Sequence, residues 1–197
     1  MTEDYAALSH VRLHAGIPCH TPDGLTPLVH TNDPALRVMT DFRYVTPATI
    51  EPGMSIGAAM RKMKEAGIHL LLVPDREDNI IGIITATDVH SERPVKLSQK
   101  SGISPQDTHV EALMTPLDEV MAMDMVTVRN ARVGHIINTL RKLERQHTLV
   151  VEINRPGGEQ VIRGLFSISH ISKLMGQDVT APEYAAHSLA EVHHELG

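Results

Sequence analysis

An internal repeat is the feature that most constrains how this chain folds. A Met-Thr pair at residues 39–40 recurs at residues 114–115. After each pair come a strand-like run, an amphipathic stretch, an apolar run, a turn and a second strand-like run that begins with glycine. A repeat of about sixty residues predicts two copies of one small unit that build the structure together.

Each copy contains one helix pattern followed by one strand pattern. Residues 56–68 (IGAAMRKMKEAGI) match residues 133–145 (VGHIINTLRKLER), with apolar residues at helical spacing in both. Residues 69–74 (HLLLVP) match residues 146–151 (QHTLVV), which are apolar runs of strand length. In each copy we therefore expect a helix that buries one face and a strand that is buried.

The sharpest motif ends each copy, because residues 82–88 (GIITATD) match residues 164–170 (GLFSISH). A strand that ends at Thr85, with Thr87 and Asp88 at a helix start, offers hydroxyl groups and backbone N–H donors to a phosphate. Asp88 is suited to accept hydrogen bonds from two ribose hydroxyls. The alternative is that these residues serve only as N-caps of the helix.

The second copy of the motif has His170 where the first copy has Asp88. An imidazole cannot accept hydrogen bonds from two ribose hydroxyls as a carboxylate does. We therefore expect the two copies to be unequal as ligand sites.

The repeat also divides the chain into parts. Residues outside the repeat and rich in proline or polar side chains predict an N-terminal arm with a short helix and a linker with one short helical piece. The full division is an N-terminal extension at 1–37, a first repeat at 38–94, a linker at 95–110, a second repeat at 111–176 and a C-terminal tail at 177–197.

Composition narrows the classes of function. A net charge of −6, with Lys and Arg scattered, disfavours a nucleic-acid polymer as partner. The apolar runs are far shorter than the roughly 18 residues of a membrane-spanning helix, and the acidic N-terminus lacks the pattern of a secretory signal. With the single cysteine Cys19, we expect a cytoplasmic protein without membrane association. No set of nucleophile, base and oxyanion donors is recognisable, so we expect no enzyme activity.

The element order, ending twice in a glycine, two apolar residues, Thr or Ser and a polar position, resembles tandem cystathionine-β-synthase (CBS) domains, also called a Bateman module. The resemblance covers residues 38–176. It implies an α+β fold of two βαββα units that pack through their sheets with pseudo-two-fold symmetry and leave two clefts. It also implies a regulatory module that needs no cofactor, binds AMP, ADP, ATP or S-adenosylmethionine, and signals to a separate, unidentified partner protein.

Two clefts follow from the resemblance, each combining the motif of one repeat with the first strand and helix-to-strand turn of the other. The first and favoured set of residues is Ile83, Thr85, Thr87, Asp88, Met125, Arg145 and Gln146. The second set, in which ribose binding lacks its acid, is Arg43, Ala48, Ile68, His69, Leu165, Ser167, Ser169 and His170. For Arg145, an alternative is a favourable interaction with the C-terminal end of its own helix.

The same resemblance implies a homodimer. The helix residues Met60, Met63, Ile136 and Leu140 are candidates for its interface, because methionine-rich surfaces suit adaptable contacts. The alternative is that these four residues form the core stripe of their helices.

Two other functions remain open. One is a CBS-type scaffold that keeps the fold and binds no ligand. The other is a metal-binding protein that uses the histidine-rich ends, with His10, His14, Cys19 and His20 as candidate ligands. No spacing there is diagnostic of a metal site, and the C-terminal His187, His193 and His194 are expected to be solvated.

Overall fold

A computed structural model describes residues 29–154 and 158–179 of the chain. The histidine-rich ends lie outside the described residues, as does most of the predicted C-terminal tail: His10, His14, Cys19, His20, His187, His193 and His194. Among the described residues, no helix is long and apolar enough to cross a membrane.

The first unit begins with a two-residue strand and then has the predicted helix and strands. Its elements are β1 (Thr40–Asp41), α1 (Ile56–Ala66), β2 (Leu70–Pro74), β3 (Ile80–Thr85) and α2 (Ala86–His90). Helix α1 begins where the Ser55 hydroxyl accepts a hydrogen bond from the Ala58 N–H, and it ends at Gly67, whose φ of 64° suits a left-handed cap. A nine-residue helix, α3 (Arg93–Ser101), then supplies the predicted helical piece of the linker.

The second unit has the same kinds of elements in the same order, with an additional strand and short helix before its long helix and with longer strands after it. Its elements are β4 (Thr115–Pro116), β5 (Ala122–Asp124), α4 (Met125–Arg129), α5 (Val133–Lys142), β6 (His147–Asn154), β7 (Glu159–Ser167) and α6 (Ile168–Met175). Equivalent hydrogen bonds relate the two units, because the Ala86 N–H donates to the His69 carbonyl and the Ile168 N–H donates to the Gln146 carbonyl. The helices and strands predicted from the repeat are confirmed.

The short first strand of each unit pairs with the sheet of the other unit. Strand β4 is antiparallel to β3, and β1 is antiparallel to β7, with Thr40 opposite Leu165. The strand orders are therefore β2-β3-β4 in one sheet and β1-β7-β6-β5 in the other. This crossed pairing means that neither sheet is complete without a strand from the other half of the chain.

Two glycines permit the crossed pairing. A Cβ added at Gly82 would lie 2.8 Å from the carbonyl oxygen of Thr115, and a Cβ added at Gly164 would collide with the carbonyl oxygen of Thr40. In both cases the obstacle is backbone that is hydrogen-bonded in a strand pair. The glycine at the start of each motif is therefore required by the close approach of the crossing strand.

Three groups of buried side chains form the core of the described residues. One lies between α1 and the first sheet and includes Met63 and Ile84. Another lies between the helices and sheet of the second unit and includes Ile137 and Phe166. The third joins the two sheets face to face through Leu70, Leu72 and Leu149. This arrangement confirms the expected α+β fold of two units packed through their sheets with pseudo-two-fold symmetry.

Residues ahead of each repeat also pack across the molecule. Ala35 and Val38 are fully buried in the core of the second unit, while Val110 and Leu113 are fully buried in the core of the first. The end of the predicted N-terminal extension is thus docked on the second unit and forms part of its core.

The helix residues considered for a homodimer face lie mostly inside the molecule. Met63, Ile136 and Leu140 are only 1–2% exposed. The dimer interpretation is wrong for these three residues, because each helix has one apolar stripe and its own sheet covers that stripe. The alternative of a core stripe is confirmed for them, whereas Met60 is partly exposed.

We expect Gly164→Ala to lower the free energy of unfolding by about 2–3 kcal/mol, because the added methyl group forces β1 away from β7. Urea unfolding followed by circular dichroism measures this loss. Gly53→Ala is the matched control, since nothing lies within 4 Å of a Cβ added there. Equal effects of the two substitutions would contradict a role for Gly164 in the crossed pairing.

Candidate functional site

A cavity of about 370 Å³ opens between the two units. Its walls come from the segment that begins with β1, from the turn between α1 and β2, and from the second unit where β7 leads into α6. The lining residues are Thr40, Phe42, Val45, Thr46, Pro47, Ala48, Gly67, Ile68, His69, Leu70, Leu72, His147, Leu165, Ser167, Ser169, His170 and Lys173. The cavity therefore brings together parts of the chain that are more than 100 residues apart.

This cavity corresponds to the second set of predicted residues. Every member of that set except Arg43 lines it. The Arg43 guanidinium instead donates to Glu152, with Nη2 lying 2.8 Å from Oε2. The cavity thus lies in the cleft whose motif has His170 in place of the acid.

An ion-pair network fixes one wall of the cavity. The buried guanidinium of Arg163 donates two hydrogen bonds to Asp41, at 2.7 Å to Oδ1 and 2.6 Å to Oδ2. A third bond, 3.2 Å long, joins Arg163 to Glu152, which also accepts from Arg43 and Arg129. Because Asp41 belongs to β1 and Arg163 to β7, this bidentate pair holds the segment with Thr40 and Phe42 against the second sheet.

The start of α6 forms the polar wall of the cavity. Ser167 precedes the helix, and its hydroxyl lies 2.9 Å from the Ser169 hydroxyl without accepting a hydrogen bond from the helix backbone. Burial, together with the nearby Lys173 ammonium, lowers the pKa of His170 from its ordinary value. This wall therefore presents hydroxyl, imidazole and ammonium groups.

The equivalent start of α2 differs, because side chains at its N-terminal end form hydrogen bonds with the backbone N–H groups there. The Thr85 hydroxyl accepts from the Asp88 N–H at 3.2 Å, and Asp88 Oδ2 accepts from the Thr85 N–H at 2.9 Å and from the Thr85 hydroxyl at 2.6 Å. The other oxygen, Oδ1, lies 3.8 Å from Arg93 Nη1. Thr85 and Asp88 thus form the capping box that the sequence left open as the alternative to ligand contact.

The other residues of the first predicted set lie in different environments, from the core to the surface. Ile83 packs in the group of side chains between the sheets. Met125 is only 3% exposed and belongs to the core of the second unit. Thr87, Arg145 and Gln146 are exposed.

The structure adds lining residues that the sequence did not single out. His147 and Lys173 supply polar groups, and Phe42, Leu70 and Leu72 supply apolar surface. Two signals were present in the sequence. Lys173 lies one helical turn beyond His170, and His147 directly follows a residue of the predicted first cleft.

His147 lies between the two clefts at the start of β6. Burial of its ring lowers its pKa to about 4, and the nearby His69 acts in the same direction. The Asp88 carboxylate opposes this shift but does not cancel it. At neutral pH, His147 is therefore uncharged and can both donate and accept a hydrogen bond.

No group of three or more His, Cys, Asp or Glu side chains able to hold a metal ion occurs in the part of the chain that the structure describes. The metal ligands proposed from the sequence lie outside that part.

Comparison with known proteins identifies the family. Residues 35–93 match the CBS domain model, so this stretch is a CBS domain, as the sequence resemblance indicated. CBS domains are mainly regulatory. No curated protein sequence matches the chain.

Several solved structures are similar to this chain. An uncharacterized conserved protein from Pyrococcus horikoshii matches with a TM-score of 0.51 and 22% identity, over 74% of this chain and 93% of that chain. The CBS-domain containing protein ATU1752 from Agrobacterium tumefaciens matches with a TM-score of 0.49 and 20% identity, over 70% and 93% of the two chains. CBSX2 in complex with AMP matches with a TM-score of 0.48 and 17% identity, over 72% and 94%.

We expect Asp41→Asn to lower the free energy of unfolding at pH 7 by about 2 kcal/mol or more, because it deprives the buried Arg163 of its closest anion. The matched control is Glu92→Gln, which removes an exposed ion pair with Lys96 and should cost less than about 0.5 kcal/mol. Urea titrations of both variants measure the difference. Similar small losses would show that the Asp41–Arg163 pair does not hold β1.

The same pair predicts a pH dependence. Hydrogen bonding from Arg163 lowers the pKa of Asp41 below its ordinary value of 3.8. The pair's contribution to stability is therefore present above that value and is lost as pH falls through the lowered pKa. Urea titrations of Asp41→Asn below pH 4 should show a smaller further loss of stability than the unmodified protein shows.

His147 predicts a second loss of stability, at higher pH. Between pH 6.5, the ordinary imidazole pKa, and about pH 4, His147 is protonated in the unfolded chain but remains neutral in the folded chain. The free energy of unfolding should fall across this window by about 2 kcal/mol, and His147→Gln should remove that part of the fall. His30→Gln, at an exposed position, is the matched control for the loss of a histidine.

Proposed function

We propose that this CBS-domain protein is a regulatory module that binds an adenosine-containing ligand in the cavity and passes the binding event to a separate partner protein. The observation that carries the proposal is the composition of the cavity wall. It combines the segment after β1 and the α1–β2 turn with the β7–α6 motif of the second unit.

The shape and chemistry of the cavity suit a nucleoside derivative. Its volume of about 370 Å³ falls within the range of roughly 300–1,000 Å³ that is usual for small-molecule sites. Leu70, Leu72 and Leu165 form apolar surface on which a flat base can pack, with Phe42 nearby. Hydroxyl and imidazole groups at the start of α6 supply polar contacts for the other end of the ligand.

Regulation follows from the way the cavity is built. A ligand in this position touches the α1–β2 turn of the first unit and the β7–α6 motif of the second. It therefore binds most tightly when the two units have one particular relative position, and it stabilises that position over others. A partner protein that contacts both units can respond to this difference.

The first cleft has a different role in this proposal. Asp88 and Thr85 satisfy each other as a capping box, and Asp88 Oδ1 faces the Arg93 guanidinium. These contacts favour a structural function for the first motif. The alternative of a scaffold without a ligand thus applies to this half of the molecule.

A matched pair of substitutions separates the two clefts. Ser169 and Thr87 occupy equivalent, exposed positions early in α6 and α2. We expect Ser169→Tyr to weaken AMP binding at least about tenfold, because the ring fills the cavity, whereas Thr87→Tyr should change it by less than about twofold. Isothermal titration calorimetry with AMP measures both affinities.

Circular dichroism and the melting temperature establish that both variants fold. If AMP binding is lost in Thr87→Tyr and kept in Ser169→Tyr, the ligand site is the Asp88 cleft and the proposed location is wrong. Absence of binding by AMP, ATP and S-adenosylmethionine to the unmodified protein would favour the scaffold alternative.

A further inference from the structure

Every polar side chain that lines the cavity can donate a hydrogen bond, and one of them is a cation. They are the hydroxyls of Thr40, Thr46, Ser167 and Ser169, the imidazoles of His69, His147 and His170, and the ammonium of Lys173. None of the described residues that line the cavity is Asp or Glu. This balance favours an anionic ligand over a cationic one.

The acids closest in sequence to the lining residues are engaged elsewhere. Both carboxylate oxygens of Asp41, which follows Thr40, accept hydrogen bonds from Arg163. Asp88, the counterpart of His170, is held in its capping box. Bidentate recognition of the two ribose hydroxyls needs a carboxylate of this kind, and the cavity wall does not offer one.

The Lys173 ammonium and the polar side chains beside it lie at one end of the cavity. His170 and Lys173 are one helical turn apart on α6, and both line the cavity. Ser169 precedes them on the same helix, near its N-terminal end. A phosphate placed here meets an ammonium group and a hydroxyl donor together.

The apolar groups lie on the strands, away from α6. Leu70 and Leu72 alternate along β2 and face the second sheet, where Leu165 also packs. A base that packs on these side chains and a phosphate at α6 account for both kinds of wall. The ribose between them has no carboxylate partner among the described lining residues.

We propose that this cavity recognises a nucleoside monophosphate through its base and its phosphate, without reading the ribose hydroxyls, so that 2′-deoxy ligands bind as well as ribonucleotides. The inference rests on the proposed function and narrows its ligand class. In this cavity no carboxylate recognises the ribose hydroxyls, because the second motif has His170 where the first has Asp88.

Calorimetry on the full chain with AMP, 2′-deoxy-AMP and adenosine tests the inference. The dissociation constants of AMP and 2′-deoxy-AMP should agree within about threefold, and adenosine should bind at least about tenfold more weakly. Lys173→Gln should weaken AMP binding about tenfold and leave adenosine binding unchanged. Lys142→Gln, at an exposed position at the end of α5, is the control and should change neither affinity.

The outcomes distinguish the two proposals. If 2′-deoxy-AMP binds tenfold more weakly than AMP, or adenosine binds as tightly as AMP, the ligand class is wrong while the regulatory function stands. The same conclusion holds if Lys173→Gln leaves AMP binding unchanged. If none of the three compounds binds, the inferred ligand class is wrong, and the proposed function is wrong as well if ATP and S-adenosylmethionine also fail to bind.

Discussion

The pairing of β1 with β7 is the constraint on which the candidate site depends. It brings the segment with Thr40 and Phe42 onto the sheet of the second unit, where that segment becomes one wall of the cavity. Two features hold it there: the absence of a side chain at Gly164, and the bidentate hydrogen bonds from Arg163 to Asp41. A strand of two residues has few hydrogen bonds of its own, so these features carry a large share of its stability.

The crossed pairing also explains why the two halves of the molecule act as one. Each sheet is completed by a strand from the other half, and the sheets meet face to face through Leu70, Leu72 and Leu149. The units share a common backbone plan but differ at one chemical position in the motif. Asp88 turns back to cap its helix, whereas His170 leaves the start of α6 open to the cavity. The asymmetry of ligand binding that we propose follows from this one difference.

Much of the fold could be predicted from the sequence, because its signals are local and periodic. The apolar spacing that places Met63 and Leu140 in the core is visible in the helix patterns themselves. The crossed strands were not predictable in the same way, since residues 40–41 are too few to show a period and their partner lies more than 100 residues away. The glycines that begin the two motifs were visible, but only the structure gives the reason for them.

The site was predicted in part. The resemblance to CBS domains indicated seven of the seventeen residues that line the cavity, including Ser167 and Ser169. It favoured the cleft of Thr85 and Asp88, whose sequence suits a ligand and a helix cap equally well. The sequence alone could not show that these two side chains form a capping box with each other.

We propose that the ligand occupies the cavity at α6 and that the Thr85–Asp88 capping box stays intact. A crystal structure of the protein with AMP tests it most directly. The account predicts density for the nucleotide between His69 and Ser169, with the phosphate at Lys173 and with the Thr85–Asp88 capping box intact. Density at the Asp88 cleft, with Asp88 released from Thr85 and bonded to the ribose, would contradict it.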